Sequence, residues 1–237
     1  MDITHLHNKA GLILTSIMGG LFILSSCSSD DAAQIIADEF ISISGKITSS
    51  ANPTGEEGVT VKGIYSDGNI LNPSTTTIAD GTYSLDVLKN TPVSAQASKS
   101  TFATLNSAKE ALSANETGFD VEMVASTDAE AAIATVFPGP TLAGQAWLAV
   151  NVVDASDVEV NGVAISTTGS PTDTAATACD GTDSGGDVTV APCPTRGGPM
   201  YFAYFDADSI EVTVTAGSAS QLAPVRRGEI TYLEFEQ

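Results

Sequence analysis

The sequence contains almost no histidine. Its two histidines, His5 and His7, precede a short apolar run at residues 11–24, and no histidine follows that run. A run of about 14 apolar residues is too short to cross a bilayer as a helix, but it has the length of the central region of a signal peptide. Without this leader the chain lacks histidine, which excludes Ser-His-Asp and Cys-His nucleophiles and histidine metal sites.

Basic residues are also scarce. The chain has 9 Lys and Arg residues against 29 Asp and Glu residues, and its net charge is −20. Asp2 and Lys9 are the charged residues of the leader, so its removal leaves the net charge unchanged. Binding to nucleic acid or docking on anionic lipid requires a basic face, so the composition argues against both partners. The balance is typical of a self-repelling surface protein.

The end of the apolar run carries the most specific motif of the chain. Leu24-Ser25-Ser26-Cys27 resembles the lipobox of bacterial lipoproteins. The resemblance implies removal of residues 1–26, lipidation of Cys27 and a polar tether over residues 27–38. Several acyl chains on one cysteine give stable membrane attachment. Since Ser28 rather than Asp follows the cysteine, the resemblance implies the outer membrane or the cell surface. The alternatives are a secretory peptide cut elsewhere and a short membrane anchor.

Cysteine is limited to three residues. If Cys27 carries lipid, Cys179 and Cys193 remain, and in an oxidising compartment such a pair is predicted to form a disulfide. The loop closed would be about 15 residues long, which is worth about 3 kcal/mol in the chain-entropy model. The alternative is a reactive thiol.

The segment between these two cysteines is rich in Asp and Gly. Asp180, Asp183 and Asp187 offer oxygen ligands of the kind that calcium prefers. Their spacing is not that of an EF-hand loop. The favoured interpretation is a solvated, turn-rich insertion, so no cofactor is predicted, and Ca²⁺ bound by these three residues is the alternative.

Apolar and polar residues alternate at period two from Glu39 onward, which indicates strands. Asp80-Gly81 lies between two β-prone runs, at 75–78 and 82–87, and predicts a hairpin. Residues 107–114 form the one locally helical piece. The composition, rich in Thr, Ser, Ala, Val and Gly, favours an all-β protein.

Three pieces of the first half carry a resemblance to a known family. They are Ser44-Gly45-Lys46-Ile47, Gly58-Val59-Thr60-Val61 and Ala79-Asp80-Gly81-Thr82-Tyr83-Ser84-Leu85. Their order and spacing resemble the carboxypeptidase regulatory-like domain, a transthyretin-like (prealbumin-like) β-sandwich. The resemblance covers residues 39–125. It implies a spacer, assembly module or binding module rather than a catalyst.

The second half, residues 146–237, follows the same plan more loosely. Its matching pieces are 147–154, 162–165, 198–205, 210–214 and 228–235. The sequence separation between Gly162 and Gly198 is longer than that between Gly58 and Gly81. The additional residues fall where the two cysteines lie. We therefore predict two tandem transthyretin-like or Ig-like antiparallel β-sandwich domains, joined by a linker at 126–145, with a disulfide-closed insertion in the second.

The predicted function is that of a non-catalytic lipoprotein of the cell envelope. It would act as a structural or interaction module with a protein or glycan partner, and the membrane would be contacted through the lipid anchor. Acid pairs such as Glu56-Glu57 and Glu234 with Glu236 are poorly placed for general acid–base catalysis. The alternative function is glycan or calcium binding by the second domain, with Trp147, Tyr201 and Tyr204 as a carbohydrate platform.

Overall fold

A computed structural model describes residues 39–65, 72–137, 139–156, 160, 163–168, 187–189 and 200–237. These residues form sixteen strands and one helix, which confirms the predicted all-β class. The strands of the first half are β1 Phe40–Ser49, β2 Thr60–Tyr65, β3 Ser74–Thr76, β4 Thr82–Leu88, β5 Pro92–Ser98, β6 Thr104–Asn106, β7 Glu110–Ala111, β8 Glu116–Thr117 and β9 Val121–Met123. Helix α1 follows at Ser126–Val136. The second half has β10 Ala146–Val153, β11 Ala164–Thr167, β12 Asp187–Thr189, β13 Met200–Phe205, β14 Ser209–Ala216, β15 Ala219–Arg226 and β16 Glu229–Glu236.

The first half is a sandwich whose two sheets face each other across one core. β1 pairs with β4 antiparallel and with β8 and β9 in parallel, while β2 pairs with β3 and β5 in the opposing sheet. The alternating apolar residues of the sequence supply the core, because every second side chain of a strand faces the same side. The buried side chains include Ile43 and Ile47 of β1, Leu85 and Val87 of β4, and Val61 of β2.

The turn at residues 79–81 passes between the two sheets instead of closing a hairpin. β3, which precedes it, pairs with β2, whereas β4, which follows it, pairs with β1. The predicted hairpin is therefore wrong, although the turn itself is present. Gly81 has a φ of +80°, and a Cβ there would lie 2.7 Å from the Cα of Gly55. Glycine is required because the two backbones cross at contact distance.

The segment 107–114, predicted to be locally helical, is extended. Its Glu110–Ala111 portion forms β7 and pairs with β5 at Pro92 and Val93. The amide of Ser107 donates to the carbonyl oxygen of Ala95, which fixes the start of the segment in the same way. Pairing with β5 satisfies backbone groups that a short, isolated helix would leave to water, so tertiary contacts override the local helix propensity.

The second half repeats the strand pairing of the first half, which confirms the repeat predicted from the sequence. β10 pairs with β13 antiparallel and with β16 in parallel, as β1 does with β4 and β9. β11 pairs with β12 and β14, as β2 does with β3 and β5, and β14 pairs with β15 as β5 does with β6. The core of this sandwich includes Leu148, Val150, Val212, Val214 and Val225.

One sheet is shared by the two halves. β16 pairs in parallel with β6, so that β13, β10, β16, β6, β5, β2 and β3 form one continuous row of strands. Alternate residues of β10 face different cores: Trp147 belongs to the first and Leu148 to the second. The remaining sheet of each half therefore packs on opposite faces of the shared sheet. The parallel pairs make these sheets mixed rather than purely antiparallel.

The segment 126–145, predicted as a linker, contains α1 and contributes to the first core. Ile133, Phe137 and Leu142 of this region are buried there. Phe137 packs edge-on against Trp147 and Tyr204, with ring centroids 5.5 and 5.3 Å apart. The segment thus covers one end of the shared sheet instead of spacing two separate units. The domain boundaries as such stay a prediction.

Candidate functional site

Most residues singled out in the sequence as lipid, disulfide or metal positions lie outside the described residues. These are Cys27, Cys179, Cys193, Asp180 and Asp183. Asp187 begins strand β12, where its backbone lies opposite Ser166. Lipidation, the disulfide and calcium binding therefore stay predictions. Within the described ranges, no group of three or more His, Cys, Asp or Glu side chains is placed to hold a metal ion.

The aromatic platform suggested for glycan binding is not on the surface. Trp147 and Tyr204 belong to the first core and Tyr201 to the second, with exposures of 2%, 9% and 3%. Trp147 does face away from Leu148 and Val150, as its place in the alternation indicated, but that second face of the sheet is covered as well. The suggestion of a carbohydrate platform formed by these residues is therefore wrong.

Glu56 has a structural role, because its side chain is buried whereas that of its neighbour Glu57 is not. It is only 2% exposed and accepts hydrogen bonds from the side chains of Ser49, Asn52 and Lys99, the last at 2.7 Å. Burial raises the pKa of the Glu56 carboxyl, but these hydrogen bonds together outweigh it and leave the pKa below its usual value. Glu57 is exposed. The arrangement fixes the loop between β1 and β2 and leaves no acid pair for catalysis.

A cleft lies where the two halves meet, beside the shared sheet. Its empty space is about 520 Å³, including the part that is open to solvent. Residues from both halves line it: Tyr83, Ala95, Ser107, Ala108, Glu110, Gly118, Phe119, Asp120 and Val121 from the first, and Gln221, Tyr232, Leu233 and Glu234 from the second. The cleft is the candidate functional site because both halves are needed to form it.

The floor of the cleft depends on residues of the sequence motifs. Gly45 lies opposite Tyr83 in the β1–β4 pair, and the carbonyl group of Phe119 lies directly over Gly45. The Tyr83 hydroxyl donates a hydrogen bond of 2.8 Å to that carbonyl oxygen. A side chain at position 45 would collide with Phe119. The glycine and the tyrosine together hold the segment 118–121 close across β1.

The opposite wall is formed by β15 and β16. The side-chain amide of Gln221 donates from Nε2 to the carbonyl oxygen of Glu234 at 2.8 Å. Since that carbonyl oxygen can only accept, Oε1 must be the atom of Gln221 that faces the other way. It is buried and has no hydrogen-bond partner among the described residues. Tyr232 adds an aromatic ring to this wall, and its hydroxyl lies 3.3 Å from the Glu234 carboxylate.

Glu110 is an acid of the cleft whose surroundings disfavour its charge. Burial, together with the negative charge of Glu116, raises the pKa of its carboxyl. Within the described part of the chain, no lysine or arginine forms an ion pair with it. Asp120 also lines the cleft, and its Oδ1 accepts the backbone amide of Lys46 at 2.7 Å. With Glu234, three carboxylates line the cleft and no basic residue does.

A buried ion pair connects the two halves next to the cleft. Lys109, whose side chain is 1% exposed, contacts Glu211 of β14, and its backbone amide donates to Leu222 of β15. Burial, and to a lesser degree the charge of Arg226, lowers the pKa of Lys109 to about 8. These contacts fix the position of the Ser107–Glu110 wall relative to the second half.

Sequence reasoning named Tyr83 and Glu234 but did not bring the cleft residues together. Glu110 lies in a segment predicted to be helical, and Gln221 carries no motif. Their association depends on the contact between Lys109 and β15, across more than 100 positions of sequence. The only available signal was Tyr83 with Gly45, which the family-like motifs contain.

No helix within the described ranges is long and apolar enough to cross a membrane.

Comparisons with known proteins give no family. No family model and no curated protein matches the chain. It is similar to the minor pilin GBS52 of Streptococcus agalactiae, at 10% identity and a TM-score of 0.28, over 83% of this chain and 94% of that one. It is also similar to the shaft pilin SpaA of Lactobacillus rhamnosus GG, at 8% identity and a TM-score of 0.26, over 84% of this chain and 97% of that one.

A further similarity is to the Bacillus anthracis TIE protein, at 7% identity and a TM-score of 0.28. It covers 84% of this chain and 33% of that one, so the chain spans a third of that protein's length. At these values the fold description rests on the strand pairing of the chain itself. The chain is a β-sandwich protein, and membership of the carboxypeptidase regulatory-like family stays a prediction.

Proposed function

We propose that the chain is a non-catalytic binding module displayed on the cell envelope and that the cleft between its two halves is the binding site. The observation that carries this proposal is the cleft itself. It is open and lined by both halves, and it combines aromatic rings with carboxylates that face it. Concave sites with a mainly apolar lining and a few polar groups are where proteins usually bind partners.

The lipid anchor is the second part of the proposal. The Leu24-Ser25-Ser26-Cys27 motif and the polar residues that follow it support attachment at Cys27, with the two sandwiches held outside the membrane by residues 27–38. The net charge of −20 supports a surface position, because it keeps neighbouring copies apart. A position on the outer membrane or the cell surface is the form of this proposal that the sequence favours.

Anchoring is tested by labelling cells that make the full chain with an alkyne-tagged fatty acid. We expect label on the wild-type chain and none on Cys27→Ser, which should also leave the membrane fraction. An unlabelled wild-type chain that begins at a residue other than Cys27 would overturn the anchor. Disulfide formation is read from the same sample by mass spectrometry of the peptides that contain Cys179 and Cys193.

Binding in the cleft is tested by photo-crosslinking in the producing cells. A photoreactive phenylalanine analogue replaces Asp120, which lines the cleft, or Asp86, which is also exposed but lies on the outer side of β4. We expect a discrete protein adduct from position 120 and none from position 86. Equal adducts at both positions, or none at position 120, would contradict the proposal. The pair of sites controls for residue type, exposure and expression.

A further inference from the structure

We propose that the cleft binds the side chain of a lysine or arginine from a partner protein. This inference rests on the proposed function, because it takes the cleft to be the binding site. It goes further by naming the chemistry of the group that is bound. Four observations support it: an acid without a cation, an acceptor without a donor, aromatic surfaces for an alkyl stem, and the charge balance of the lining.

The first observation is the Glu110 carboxylate. It lines the cleft, is partly buried, and has no ion pair or hydrogen bond within the described residues. The raised pKa of its carboxyl shows that its surroundings disfavour the negative charge. An ammonium or guanidinium group that enters the cleft would supply the missing cation. A charge-assisted hydrogen bond of this kind is stronger than a neutral one.

The second observation is Oε1 of Gln221, a buried acceptor without a donor. Leaving such an atom unsatisfied is unfavourable, and an N–H group of a ligand in the cleft that reached it would supply the missing donor. Lysine and arginine side chains carry only donors and no acceptors. A ligand group of this type therefore matches both Glu110 and Gln221.

The third observation concerns the rest of the lining. The rings of Tyr83, Phe119 and Tyr232 offer apolar surface next to the acids. Lysine and arginine bury their alkyl stems along such surfaces while the charged end reaches polar groups. Aromatic faces also attract cations electrostatically. A bare metal ion would not use these rings, and the described acids do not converge to hold one.

The fourth observation is charge complementarity. Glu110, Asp120 and Glu234 line the cleft without a basic residue among them, on a chain with a net charge of −20. Such a field attracts basic partners and accelerates their association, particularly at low ionic strength. It repels acidic ones. A basic segment of a protein therefore fits the site better than an acidic glycan or another copy of this chain.

The test uses the full chain in non-ionic detergent and a panel of blocked tripeptides, Gly-X-Val, in which X is lysine, arginine, norleucine or glutamate. Binding is followed by NMR shifts of the backbone amides of Glu110, Phe119 and Gln221. We expect lysine and arginine peptides to shift these signals and the norleucine and glutamate peptides not to do so. Glu110→Gln should weaken lysine-peptide binding about five- to tenfold, as expected for the loss of one partly buried ion pair.

Glu57→Gln is the matched control, because it removes the same charge from an exposed position outside the cleft and should leave binding within twofold. Equal binding of the norleucine peptide, or an unchanged affinity in Glu110→Gln, would overturn the inference about the cation but leave the cleft as the site. Equal binding of putrescine would overturn the protein source in favour of a free diamine. If no peptide shifts the cleft signals, the inference about the cation is overturned, whereas the cleft as the binding site is decided separately by crosslinking at position 120.

Discussion

The hydroxyl of Tyr83 donates its hydrogen bond to the carbonyl oxygen of Phe119, at 2.8 Å, over a backbone position that only glycine can occupy. Gly45 is that position. The three residues come from three separate segments, and two of them lie in the motifs by which the first half resembles a known domain. Their arrangement shows what those motifs do physically: they allow a peptide segment to cross β1 at contact distance and to be held there.

Substitutions at these positions should be destabilising to different degrees. Tyr83→Phe removes a part-buried hydrogen bond and should lower the free energy of unfolding by about 1 kcal/mol. Gly45→Ala forces the segment at Phe119 to move and should cost about 1–3 kcal/mol, as overpacking does. Urea unfolding of the purified variants measures both effects. Gly58→Ala is the control, since a Cβ there meets no atom within 4 Å and only its φ of +76° is unfavourable. If Gly45→Ala proved no worse than Gly58→Ala, the tight crossing at Phe119 would be refuted.

The Lys109–Glu211 pair should respond unequally to the loss of either partner. Glu211→Ala removes the carboxylate that contacts a buried lysine charge and should cost about 1–3 kcal/mol, less than for a fully buried pair because Glu211 is 37% exposed. Lys109→Met leaves a carboxylate that water can reach and should cost less or nothing. Thermal unfolding of the two variants makes the comparison. A larger loss in Lys109→Met than in Glu211→Ala would contradict the burial of this lysine.

The same lysine predicts how stability changes at alkaline pH. The folded chain releases the Lys109 proton near pH 8, whereas the unfolded chain releases it near the usual value of 10.5. The unfolded state therefore holds more protons between these values, and this residue makes the free energy of unfolding rise as the pH increases through that window. The difference in unfolding free energy between wild type and Lys109→Met, measured from pH 7 to 10.5, isolates the effect. A difference that does not change with pH would show that the lysine titrates normally.

Glu56 predicts how the stability of the chain changes at acidic pH. Its folded pKa lies below the unfolded value, so its contribution is fully present above about pH 4.5 and is lost as the pH falls through the folded pKa. Glu56→Gln should cost about 1–2 kcal/mol at neutral pH, since Lys99 keeps some access to water. The difference in the free energy of unfolding between this variant and wild type, measured by urea unfolding, should become smaller as the pH falls. Glu57→Gln, with the same change at an exposed site, should show neither effect.

Thr101 is a position where a substitution should stabilise the chain. It has a φ of +75°, which is unfavourable for a β-branched residue, in the turn between β5 and β6. Its carbonyl oxygen accepts the amide of Ser126, and this backbone bond does not depend on the side chain. Thr101→Gly should relieve about 1 kcal/mol of strain and raise the melting temperature. The corresponding Ser100→Gly change at an ordinary φ should not raise it.

The sequence pattern predicted the strands and the repeat but not where each strand goes. Alternation predicted a strand at 82–87, and Leu85 and Val87 of this strand share its buried face, because side-chain direction is a local property. It could not reveal that the turn before Thr82 joins two sheets, since turn residues fix a local bend and not the pairing partner. The alternation separates Trp147 from Leu148 and Val150, but it could not show that the face of Trp147 is covered by another layer, which includes Phe137. Glu110 and Gln221 meet only through long-range packing, so no local pattern could connect them.

The pairing of β6 with β16 has a consequence for how the chain reaches its final form. Asn106 and Glu229 are 123 positions apart, yet their side chains are hydrogen-bonded at 2.8 Å. The first sandwich thus exposes an incomplete sheet edge from the time its own strands are in place until a strand made much later arrives. Contacts so distant in sequence form slowly. The two sandwiches must therefore mature together, and any chain interrupted before β16 would present β6 as an open edge for association with other proteins.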